Sequence, residues 1–362
     1  MAEPFLAYIS QGQLYLHSDV ARVVESPFGR TLRERAIEIY NRHAWKTQGR
    51  GGQSLTRALR APTEPDPAEF RIEITGVSRG SHSGEIFYTL ETDDICGVFI
   101  RNRDGVERRL FHTADYRLRQ PDVHPDGSEI AVSAYYRNGA ANLALVTSDG
   151  STVTEITDGD SLDEAPRWAP GPGRRLVFQS AGMARGPGGR FSGHGPFSIQ
   201  QLDLATGDMH CLGEDAQFDF LWPRFAADGS LYYVRRPTEF GPPKPVSPWR
   251  AFGRFLLWPF RFVIAIALLV DMFVGSQTGR RLYNPKAPDK RVAAPPTWQL
   301  MRRSADSTAA PEAIAEGVQA YDLSSDGSVV YTNGFDVYRL TPGNGHANKL
   351  LTGTEIDLIT AL

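Results

Sequence analysis

Short apolar runs, each bounded by Gly, Pro, Asn or Asp, recur along most of this chain and predict strands. Three runs are preceded by the same tripeptide: Asp126-Gly127-Ser128, Asp228-Gly229-Ser230 and Asp326-Gly327-Ser328. An Asp-Gly pair between two strands marks a tight hairpin, because such a turn needs positive φ. A degraded copy runs from Pro166 to Ser180. Each run leads through a loop to a second one, a further turn such as Ser148-Asp149-Gly150 or Thr206-Gly207-Asp208, and a short last run. Four antiparallel strands per unit, at a spacing in the forties where nothing intervenes, predict a β-propeller.

Five units follow one another: 71–116, 117–160, 161–215, 216–317 and 318–352. A sixth is split. The last run, Glu355–Leu362, has no followers, and the first three, within residues 1–25, have no leader. Pairing 353–362 with 1–25 completes a blade and closes the ring, which would otherwise keep two open sheet edges. The expected fold is therefore all-β, a six-bladed propeller with blades in 70–236 and 297–352. A basic helical connection (26–69) and a hydrophobic, Pro-rich insertion (237–296) interrupt it.

The Pro125-Asp126-Gly127 and Ala227-Asp228-Gly229 turns, with Pro166-Arg167-Trp168 and Trp222-Pro223-Arg224-Phe225 upstream, resemble the TolB-type six-bladed propeller and its WD-like repeats. That resemblance implies a scaffold that docks other proteins at its faces or channel. TolB works in the periplasm. Here Glu3 stands where a secretory leader has a basic start, and the Gln11-Gly12 turn follows at once. The N-terminus reads as two strands and the protein as cytoplasmic, so TolB's own partners are not carried over.

In a propeller, loops between a and b strands and between c and d strands share one face. The Asp-Gly-Ser turns belong there and are short. The long segments 26–69, 181–196 and 236–296 all fall on the opposite face, which is the expected working face. In the first, Pro27 suits a helix start, and Leu32, Ala36, Ile39 and Tyr40 recur at helical spacing. Arg30, Arg33, Arg42 and Lys46 make that helix basic. It reads either as a solvated helix on the propeller rim or as a contact for an acidic partner or membrane. The Gly-rich stretch 181–196 lacks the Gly-Lys-Ser/Thr ending of a phosphate loop and is expected to be a flexible loop.

Only Phe252–Val274 is hydrophobic enough to enter a bilayer. It is 23 residues long, but Arg254, Pro259, Arg261 and Asp271 interrupt it. A charge at mid-bilayer costs about 2.5–3.5 kcal/mol. The runs on either side belong to one blade, so a single crossing would leave the returning strand across the membrane. An interfacial helix needs no return. At about 100° per residue, Phe252, Phe255, Leu256, Phe262, Val263, Ile266, Val270 and Phe273 share one side. Arg254 and Arg261 lie opposite, Trp258 suits the interfacial zone, and Arg280 and Arg281 would sit among anionic head groups. The same surface would equally serve a partner protein or self-association.

A net charge of −3 and pI ≈ 6.3 argue against nucleic acid as a partner. The two cysteines, Cys96 and Cys211, show no pairing pattern and are read as reduced, buried thiols. Gly80-Ser81-His82-Ser83-Gly84 has His where a nucleophile elbow needs Ser, and no metal or nucleotide motif exists. Channel positions Asp122, His124, Arg167, Arg224, Asp322 and Asp357 are read as polar groups lining the ring and binding water, with a hydrolase or lyase as the competing idea. The expectation is a non-catalytic scaffold without metal or cofactor, peripheral on the inner face of a membrane, with partner proteins unidentified.

Overall fold

A computed structural model of the chain describes residues 5–47, 71–171, 173–186, 188–238, 293–305, 310–341, 346–353 and 355–362. The hydrophobic segment, with Phe252, Phe255, Leu256, Trp258, Phe262, Val263, Ile266, Val270, Phe273, Arg254, Arg261, Arg280 and Arg281, lies outside the described residues, as does the Lys46 side chain. The chain divides into two units, Phe240–Val292 and the remainder. Every described strand, and the described helix, belongs to the remainder.

Strands β1 (Leu6–Ser10), β2 (Gln13–His17) and β3 (Ala21–Val23) form a meander that leads into helix α1 (Pro27–Thr47). Next come β4 (Ile72–Arg79), β5 (Ile86–Thr92), β6 (Cys96–Arg101) and β7 (Glu107–Thr113). They are followed by β8 (Arg117–Val123), β9 (Glu129–Tyr135), β10 (Ala141–Thr147) and β11 (Val153–Glu155). Then run β12 (Ser161–Trp168), β13 (Arg175–Arg185), β14 (Phe191–His194), β15 (Ser198–Asp203) and β16 (Met209–Gly213). Strands β17 (Phe218–Phe225) and β18 (Leu231–Pro237) precede the second unit, and β19 (Gln299–Arg303) and β20 (Glu312–Glu316) come after it. Last come β21 (Ala320–Leu323), β22 (Val329–Thr332), β23 (Asp336–Leu340), β24 (Ala347–Thr352) and β25 (Ile356–Ala361).

Pairing is by sequence neighbours: β4-β5-β6-β7, β17-β18-β19-β20 and β21-β22-β23-β24 are separate antiparallel sheets. The strands from β8 to β16 form one nine-stranded sheet, whose halves meet only at the parallel pair Ala141↔Leu162. The remaining sheet runs β25-β1-β2-β3, with Tyr8 opposite Ile359. The strands that flank the second unit are hydrogen-bonded neighbours, Val234 pairing with Leu300.

The Asp-Gly-Ser turns form as their chemistry requires. Gly127, Gly229 and Gly327 have φ of 76°, 81° and 79°. In each, the Asp carboxylate accepts the Ser backbone N–H, at 2.8, 2.8 and 3.0 Å. Strands within the sheets are buried on both faces, so their runs are continuous and not alternating. Tyr88 of β5 packs with Ala7, Leu14 and Phe99 on one side, while its neighbour Phe87 packs with Leu118, Ile130 and Val132 on the other. Each such side chain stabilises by about 1.5–3 kcal/mol.

Two expectations need correction. The stretch 181–196 is no open loop: β13 continues to Arg185 and pairs with β14, Met183 opposite His194. Cys96 is buried, but Cys211 is exposed on the outer strand β16, so only one thiol belongs to the core.

Helix α1 is held by its first turn. The Ser26 hydroxyl caps Gly29 N–H at 3.1 Å, and Glu107 accepts Phe28 N–H at 3.0 Å. The Phe28 ring lies 5.1 Å from that of Phe99, with the Arg109 guanidinium over it. Beyond this turn the helix is open: Leu32, Ala36 and Tyr40 are half-buried, and Ile39 is exposed. Arg30 pairs with Glu25 and Arg42 with Glu38, all in solvent.

Candidate functional site

Strands β8, β12 and β17 share one irregularity. Each is interrupted where a proline falls: Gln120-Pro121, Ala165-Pro166 and Trp222-Pro223. Proline has no N–H for the ladder and is tolerated in a strand only at such a bulge. The residue before it takes positive φ, 55° at Gln120, 52° at Ala165 and 56° at Trp222. A non-glycine residue there stores roughly 1–3 kcal/mol of strain. The strain is held by the preceding strands: Ala165 N–H donates to Gln120 Oε1 and Trp222 N–H to Gln179 Oε1, both at 2.8 Å. In β4 the corresponding irregularity falls at Gly76, where a Cβ would lie 2.5 Å from Pro121 Cδ.

The residue after each proline carries charge, and these charges meet. Asp122 Oδ1 accepts from Arg167 at 3.0 Å and from Arg224 at 3.1 Å. Its Oδ2 accepts the Trp168 backbone N–H at 2.8 Å. Arg224 also pairs with Asp322, whose Oδ2 accepts Ala361 N–H of β25 at 2.9 Å. Tyr321 closes the same neighbourhood through a 2.7 Å hydrogen bond to Trp222 C=O. Burial, then repulsion from Arg167, with a further contribution from Arg79, pushes the Arg224 guanidinium down to about 10. Asp122, Arg167, Arg224 and Asp322 thus bind one another. The four residues expected as polar groups lining the ring are tied into one ion-pair network.

A cavity of about 850 Å³ opens above the network. The ends of β4, β8, β12, β17, β21 and β25 converge on it, each contributing a residue at or next to its C-terminal end: Arg79, Asp122, Trp168, Arg224, Leu323 and Leu362. It lies at the end that carries the short Asp-Gly-Ser turns. The elaborated end was the expected working face, so the concave site stands opposite that expectation. Toward the elaborated end, beyond the bulges, is a second polar group. Glu164 accepts from Gln179 Nε2 at 3.0 Å, and the Arg119 guanidinium lies over the Tyr135 ring. Burial raises the Glu164 carboxyl above its usual range, more than Tyr135 and Gln179 lower it.

His124 stands apart from the network, 2.6 Å from Asp126 and edge-on to the Trp168 ring. Asp357 lies half-buried on β25 and does not line the cavity. Among the described residues no group of three His, Cys, Asp or Glu side chains could hold a metal ion.

Strand ends from successive sheets meeting around one central opening are the geometry of a propeller, and solved structures agree. The chain superposes on TolB from Acinetobacter baumannii with a TM-score of 0.55 at 11% identity, covering 99% of this chain and 66% of that one. The fold is that of a TolB-like β-propeller. A propeller structure described as a nidogen/laminin complex gives 0.54 at 10% identity, covering 99% and 98% of the two chains. Tricorn protease gives 0.50 at 12%, covering 100% of this chain and 36% of that one. This propeller spans a little under two thirds of the TolB chain. No family model matches its sequence, and no curated protein does.

Sequence reasoning named Asp122, Arg167, Arg224 and Asp322 but missed Arg79 and the cavity. A usable signal existed: three times a proline interrupts a predicted first strand and is followed at once by Asp or Arg.

Proposed function

We propose that the propeller is six-bladed, closed by the pairing of β25 with β1, and acts as a non-catalytic scaffold for partner proteins at the cytosolic surface of a membrane. The observation that carries the membrane reading is the antiparallel pairing of β18 with β19. The segment between them leaves one sheet and returns to it. A single crossing by Phe252–Val274 would put β19 on the wrong side, whereas a helix in the interface plane has no such difficulty. Phe255, Phe262, Ile266 and Phe273 are assigned to the acyl boundary, and Arg254, Arg261, Arg280 and Arg281 to the head groups. The exposed cations of α1, including Arg33, would add to the attraction for an anionic surface.

The engagement of Asp122 and Asp322 supports the non-catalytic part. A general acid or base needs a lone pair or proton directed at substrate. Both oxygens of each carboxylate already hold a donor.

Flotation of the full chain with phosphatidylserine-containing liposomes tests the reading. Wild type is expected to float, and a Phe262→Asp/Ile266→Asp/Phe273→Asp variant to lose most of its bound fraction. Equal, poor flotation of both proteins removes the membrane claim. A lipid-free oligomer that the same substitutions dissociate would put a soluble self-assembly module in its place.

A further inference from the structure

One cation of the central cavity stands outside the ion-pair network. Arg167 and Arg224 are committed to Asp122 and Asp322. Arg79, at the end of β4, lines the same cavity and is exposed, and its guanidinium has no hydrogen-bond or ion-pair partner among the described residues. The nearby carboxylate of Glu85 is turned to His82, 3.4 Å away. The field of Arg79 reaches Arg224, which it helps to push down. The walls are mixed: Phe225, Trp168, Leu323 and Leu362 are apolar, while Ser81, Ser325, His82, His124, Glu85 and Asp122 are polar or charged. An 850 Å³ hollow is within the usual range for ligand sites, which combine apolar walls with a few directed polar groups.

We propose that this cavity binds a carboxylate with an apolar body, the carboxylate held by the Arg79 guanidinium and the body lying against Phe225, Leu323 and Leu362. A guanidinium offers a carboxylate two parallel N–H donors, and partial removal from water strengthens the pair. A free peptide C-terminus and a small aliphatic acid share this chemistry. The proposal draws on no residue of the membrane reading, and the two experiments fail separately.

Isothermal titration of the full chain tests the proposal with three probes: octanoate, N-acetyl-Ala-Ala-Leu-Phe with a free C-terminus, and the same peptide as its C-terminal amide. The acid peptide is expected to bind at least tenfold tighter than the amide. Arg79→Gln is expected to weaken the acid tenfold or more, Arg79→Lys less, and Arg190→Gln on the β13–β14 hairpin not at all. Tighter binding of octanoate than of the acid peptide assigns the site to small acids, and the reverse to chain ends. Equal affinity for acid and amide in wild type overturns the proposal, whether or not Arg79→Gln folds. So does an acid affinity untouched by Arg79→Gln, or the absence of binding by all three probes at millimolar concentration.

Discussion

Asp122 is 6% exposed, yet its two oxygens receive two guanidinium groups and a backbone N–H. Removing one member of such a group leaves buried charge without a partner, at a cost of about 3–5 kcal/mol. Asp122→Ala is therefore expected to lower the urea midpoint by that equivalent, and Asp122→Asn, which keeps an acceptor oxygen, by less. Glu164 has the opposite character. Its folded carboxyl binds a proton more tightly than the unfolded one, so its contribution to stability is greatest below the ordinary glutamate range and declines as pH rises through its raised folded value. Glu164→Gln removes that decline. The melting temperature of the variant relative to wild type is expected to be higher at pH 8 than at pH 4; a pH-independent difference would contradict this. Neither group's role was readable from residue type alone. Asp122, Arg167 and Arg224 sit far apart in sequence, and only the kink at each proline turns them toward one another.

Among the elements, the hairpin turns were legible because their cause is local: a glycine at positive φ and an aspartate that binds the N–H two residues on. The β13–β14 hairpin was not. Its glycines suggested an unstructured loop, whereas Gly193 supplies a backbone with φ of 148° inside the pairing. β25 makes contacts that no local pattern announces. It pairs with β1, the Thr360 hydroxyl donates to Val77 C=O at 3.1 Å, and Ala361 N–H donates to Asp322. Ile356, Ile359 and Ala361 are all buried. Deleting Glu355–Leu362 is expected to lower the melting temperature by at least about 10 °C. An unchanged transition would show that β1 needs no inner neighbour.

At the scale of the molecule, repetition made the propeller legible where single motifs were weak. The long insertion between β18 and β19 stretches one unit beyond recognition by period, but its flanking strands keep the sheet pattern of the others. The position of the cavity was not legible, since it depends on where the strand ends from every sheet come together. One pairing reaches across nearly the whole sequence: Tyr8 faces Ile359. A ribosome making this chain releases β1 long before its partner, because every other described strand lies between them. Until β25 emerges, β1 has only β2 beside it and its other edge keeps unsatisfied backbone groups, a state open to chaperones and to mispairing with a neighbouring copy. A chain whose synthesis stops before β25 would keep that edge of β1 open.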